Sequence, residues 1–179
     1  NTGLGYFIDV SDSSGLVAPT SNRGAAVFDY DHDGDMDIIV NHCRLQTLNN
    51  SFVPQYLFLY QNNNQNNNNW LKVQLDGRYG QKDGYGSLIK IYVGNRSFIR
   101  EIDGGSSHAS QNSSIAHFGL ANATSVDSMV VYWLNGEAQK IYNISPNQTL
   151  IIQQTEPAAL KAVSPWMPKM TVYPNLITS

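Results

Sequence analysis

Charge is scarce in this chain. Charged side chains make up 14% of its 179 residues, against about a quarter in ordinary soluble domains, and asparagine, glutamine and serine supply the polarity instead. Eleven Lys and Arg against fourteen Asp and Glu leave a net charge of −3. No basic stripe stands ready to neutralise phosphates, so no nucleic-acid partner is expected. Cys43 is the single cysteine, so no intrachain disulfide can form and redox chemistry leaves the compartment open. No apolar run reaches the length that a helix needs to cross a bilayer, and no membrane span is expected. The opening Asn1-Thr2-Gly3-Leu4-Gly5 has neither the basic nor the apolar region of a secretory leader. The expectation is a chain that starts inside a longer one.

The charge that is present is concentrated. Asp29, Asp31, Asp33, Asp35 and Asp37 alternate through nine positions, with Gly34 in the sixth. Carboxylates this close oppose one another's ionisation, which calls for a hard cation among them. Calcium takes six to eight oxygen ligands and suits loops with carboxylates at places 1, 3 and 5, a glycine at 6 and a carbonyl at 7. On that scheme Asp29, Asp31 and Asp33 offer side-chain oxygens, Gly34 makes the bend and Asp35 offers its backbone carbonyl. An EF-hand needs a glutamate at place twelve, which is Val40 here, so Asp37 must close the site. The competing reading is a solvated acidic turn, since Asp and Gly are ordinary turn formers. The alternation together with the glycine position favours Ca2+.

Short apolar, partly β-branched stretches flank the loop at residues 24–28 and 36–40 and read as two strands, with residues 55–60 as a third. Residues 61–69 are all asparagine or glutamine, with too little apolar surface to offset ordering entropy, and read as a linker. From Trp70 the texture changes to alternating runs at 70–75, 87–93, 97–102, 126–133, 138–142 and 148–153. Gly94-Asn95 and Asn135-Gly136 supply tight turns between them. Many short strands without a convincing helix indicate a β-sandwich or small barrel. After Thr155 the chain becomes proline-containing, as in an extended linker.

Two resemblances attach to these segments. Gly5-Tyr6-Phe7-Ile8-Asp9-Val10, Ser14-Gly15-Leu16 and the aspartate loop resemble calcium-binding repeats of the FG-GAP/VCBS type found in integrin-like β-propellers. Trp70-Leu71-Lys72-Val73, Lys82-Asp83-Gly84-Tyr85-Gly86-Ser87, Gly104-Gly105, Ser110-Gln111, His117-Phe118-Gly119-Leu120, Trp133-Leu134-Asn135-Gly136 and Asn147-Gln148-Thr149-Leu150 resemble the ASPIC/UnbV domain. That module follows such repeats in the cartilage acidic protein-like family. The family usually has alanine where Ser87 stands, glycine where Ala121 stands and proline where Leu134 stands. Thr171-Val172-Tyr173-Pro174-Asn175 looks like the opening of a type IX secretion sorting domain, with Leu176 departing from the pattern.

The resulting expectation is all-β: a partial β-propeller-like blade with a calcium loop (1–60), an Asn-rich linker (61–69), a β-sandwich or small barrel (70–155) and a tail (156–179). A lone repeat cannot bury its own face. It must therefore have neighbours in a longer chain, pack on the following domain, or pair with a second copy through its open edge. The resemblances imply a secreted or cell-surface adhesion module, with no catalytic activity and with an extracellular protein or glycan as ligand. Ser106-Ser107-His108 lacks the setting of a catalytic triad, and His42-Cys43 has no second pair at zinc-ligand spacing. The alternative is a carbohydrate-binding accessory module of a secreted polysaccharide-active protein, using Trp70, Trp133 or Trp166 as a stacking platform. Aromatic residues at strand ends more often fill a core. An enzyme acting on polysaccharide would need two facing carboxylates outside the loop.

Overall fold

The computed structural model describes residues 5–16, 22–42, 57–63, 67–106 and 108–156. Within them the chain forms ten strands and one short 3-10 turn at Ser11–Ser13. The first three strands, β1 (Asn22–Phe28), β2 (Asp37–His42) and β3 (Leu57–Tyr60), make an antiparallel sheet in the order β1-β2-β3. Phe28 pairs with Asp37, so the aspartate loop is the connection of the β1–β2 hairpin. Trp166 and residues 157–179 lie outside the described residues, as do residues 43–56 apart from their two flanking strands.

The remaining strands form two sheets. One holds β10 (Gln148–Gln153), β4 (Asn69–Asp76) and β7 (Ala116–Ala121) in that order. The other runs β6 (Arg96–Glu101), β5 (Leu88–Val93), β8 (Val126–Tyr132) and β9 (Ala138–Ile144). Period-two alternation dictates which side chains point between them. Leu71, Val73 and Leu75 from β4 and Phe118 and Leu120 from β7 meet Ile89 and Ile91 from β5 and Met129 and Val131 from β8 in one buried cluster. Both sheets are open, so the sandwich holds and the small barrel does not. Each fully buried aliphatic side chain contributes about 1.5–3 kcal/mol of transfer free energy.

The expected turns are in place. Gly94-Asn95 joins β5 to β6, with Val93 opposite Arg96, and the Gly94 amide donates to Asp127 Oδ2 at 2.7 Å. Gly136, with φ of 88°, closes the β8–β9 hairpin. Two features go beyond expectation. Strand β7 contains Gly119, which masks a short alternation of Ala116, Phe118 and Leu120. Strand β10 lies parallel to β4, with Gln148 opposite Leu71, a pairing of distant segments that no local pattern announces. Ser87 is buried and its Oγ has no hydrogen-bond partner among the described residues, so this departure from alanine leaves an unsatisfied hydroxyl.

Candidate metal centre

The loop folds on its own aspartates first. Asp31 Oδ1 accepts the amide of Asp33 at 3.3 Å and Asp33 Oδ1 that of Asp35 at 2.8 Å, two successive side-chain turns of the kind that short acidic residues favour. Asp29 Oδ2 accepts the Gly34 amide at 3.0 Å, and Asp37 Oδ2 accepts the Tyr30 amide at 2.7 Å. Gly34 takes φ of 97°, open to glycine at no steric cost.

These bonds bring together carboxylate oxygens of Asp29, Asp31 and Asp37, all within 4.8 Å of one another. Asp33 and Asp35 do not join that cluster. Asp33 is spent on the turn, and the role expected of Asp35, through its carbonyl, makes no demand on its side chain. Burial, then the neighbouring Asp33 charge, pushes the Asp35 carboxyl above its ordinary value, with His117 opposing. A hydrogen bond from Gln61 holds Asp31 below its own.

Four partners come from outside the loop. Gln61 Nε2 donates to Asp31 Oδ2 at 2.5 Å and the Asn62 amide donates to Asp37 Oδ1 at 2.7 Å, so the start of the asparagine run lines the site. Lys72 Nζ lies 2.5 Å from Asp29 Oδ2, with the two side chains 7% and 4% exposed. His117 Nε2 donates to the Gly34 carbonyl at 2.7 Å. Lys72 and His117 sit directly opposite each other on β4 and β7, on the face turned away from the sandwich core. Trp70 shares that face, and its indole lies where a Cβ on Gly34 would have to go. A further bond, from the Val27 amide to Asn112 Oδ1 at 3.0 Å, ties β1 to the segment before β7. Beneath the loop a cavity of about 210 Å3 is walled by Phe28, Met36 and Ile115 beside Lys72 and His117.

Among the described residues, the first sheet and its aspartate loop thus contact the sandwich through Lys72, His117 and Asn112. Gln61, Asn62, Lys72 and His117 were not among the expected site residues. Their only sequence signal was Lys72 on the outward phase of the run expected at 70–75.

The cluster fits a hard cation by its donors, which are all carboxylate oxygens. Asp29 also supplies an orphan: its Oδ1 is buried without a hydrogen-bond partner among the described residues, on a side chain only 4% exposed. An ionised oxygen withdrawn from water and left unpaired is costly, and a cation at that oxygen removes the cost.

Comparison with known proteins bears on the second half of the chain. Residues 77–159 match the ASPIC and UnbV family. The ASPIC and UnbV stretch begins just after β4, so His117 lies inside it while the aspartate loop and Lys72 precede it. Across a wider span the chain is similar to cartilage acidic protein 1 of Homo sapiens, 31% identical over 129 residues that make up 72% of this chain and 18% of the relative. The Mus musculus protein of the same name is 30% identical over 129 residues. The Xenopus tropicalis protein is 29% identical over 114 residues, 64% of this chain. The chain therefore spans between 16% and 19% of the length of these relatives. No helix among the described residues is long and apolar enough to cross a membrane.

Proposed function

We propose that this chain is a calcium-binding interaction module, secreted or held at a cell surface, whose aspartate loop is structural and not catalytic. In this reading residues 1–60 are an FG-GAP/VCBS-type repeat and a partial propeller blade, and residues 70–155 are the ASPIC/UnbV-like domain. The observation that carries it is a buried, unpartnered oxygen, Asp29 Oδ1, on a carboxylate that clusters with those of Asp31 and Asp37. Asp29, Asp31 and Asp37 would hold the ion, with backbone carbonyls and water completing the six to eight oxygens that calcium takes. The bound ion would cancel the aspartate repulsion and fix the β1–β2 hairpin. Relatives named for cartilage support an extracellular setting and a protein or glycan ligand there. The outer edge of β3, which no described strand pairs, is where a second copy would add its strand.

Isothermal titration checks the metal directly. The wild-type chain should take up calcium, and Asp31→Ala should weaken binding at least tenfold. No uptake by the wild type, or an unchanged affinity in Asp31→Ala, overturns the reading. The sugar-binding alternative gains no specific observation: Trp133 is 5% exposed in the core and Trp70 is half-buried against Gly34.

A further inference from the structure

We infer that Lys72 is an internal counter-cation for the aspartate loop, so that the sandwich sets the loop's calcium affinity by competing for Asp29. The inference rests on the calcium reading above and adds a residue that lies outside the loop. Lys72 Nζ contacts Asp29 Oδ2 at 2.5 Å, and both side chains are more than nine-tenths buried. Charges withdrawn from water in this way interact more strongly than they would at the surface. Asp29 divides its two oxygens between two cations. Oδ2 serves Lys72 and the Gly34 amide, while Oδ1 is left for the ion.

Placement of the ammonium is built into the strands. Lys72 is paired across β4 and β7 with His117, whose Nε2 is anchored on the Gly34 carbonyl. The Trp70 ring centroid lies 4.7 Å from Lys72 Nζ, and an aromatic face stabilises a cation at that range. Two consequences oppose each other. Without metal, the lysine relieves the crowding of like charge and holds the loop on the sandwich. With metal, the same positive charge repels a divalent ion bound to the same carboxylate. Calcium affinity is therefore lower than the aspartates alone would give, and filling of the loop is felt by β4.

Replacing the charge by an apolar chain of similar length separates these effects. In the full chain, Lys72→Met should bind calcium at least tenfold more tightly than wild type by isothermal titration. It should melt at a lower temperature without metal, so that the calcium-induced rise in melting temperature is larger than in wild type. Lys72→Arg, which keeps the charge, should stay within a few fold of wild type in affinity. A Lys72→Met chain that folds only when calcium is added agrees with the inference. One that stays unfolded at millimolar calcium, or binds calcium with equal or weaker affinity than wild type, overturns it. No calcium uptake by the wild type would instead remove the metal reading beneath it.

Discussion

Gly34 is held by two constraints at once. Its φ of 97° is costly for a residue with a Cβ, by about 1–2 kcal/mol, and the Trp70 indole occupies the place that the new atom would need. Gly34→Ala should therefore cost more than the backbone term alone, about 2–4 kcal/mol in total, measured by urea denaturation of the metal-free chain. The same substitution should displace Trp70, visible as a shift in its fluorescence. A loss below about 1 kcal/mol would mean that the loop relaxes without Trp70 and that the contact is incidental. The glycine was legible in the sequence as the sixth place of the aspartate loop. The tryptophan behind it was not, because the two residues are distant in the chain and meet only through docking of two sheets.

At the level of elements, the end of β3 carries more than its composition suggests. Residues 61–69 read as a linker, yet Gln61 and the Asn62 amide bind Asp31 and Asp37. Asp37 is 1% exposed, so each lost donor leaves a buried carboxylate oxygen short of a partner. Asn62→Pro removes the N–H and should be less stable than Asn62→Ala, which keeps it, by about 1–3 kcal/mol in chemical denaturation. Equal stabilities would show that Asp37 finds a replacement donor. Alternation was a reliable guide wherever one face met the core and the other met water: Ile89, Ile91 and Val93 of β5 point inward as their phase demands. The guide failed at Lys72, which has the outward phase of β4 and is 6% exposed, because a strand covered on both faces obeys no simple alternation. The aspartate cluster was readable for the opposite reason. Its carboxylates lie within nine residues, so the β1–β2 hairpin connection brings Asp29, Asp31 and Asp37 close, while Asp33, expected with them, stays outside the cluster.

Across the whole molecule, burial is unevenly shared. Every buried hydrophobic residue among those described lies between Leu71 and Ile152, and none comes from β1, β2 or β3. Among the described residues, the first sheet thus has no buried apolar core of its own. Polar ties hold it to the sandwich: Asp29 to Lys72, the Gly34 carbonyl to His117 and the Val27 amide to Asn112. Regions with few buried apolar contacts open at lower free energy than the global transition, and a ligand bound only to the closed form raises that opening free energy. Amide hydrogen exchange should therefore split the chain in two. In a calcium chelator, Val27, Ile38 and Ile39 should exchange through local opening, while Leu71, Ile89 and Val131 exchange only with global unfolding. Saturating calcium should slow the first group at least tenfold and affect the second less. A first sheet as protected as the sandwich in the chelator would show that it is stabilised without the ion, and that the metal adds to a hairpin already closed.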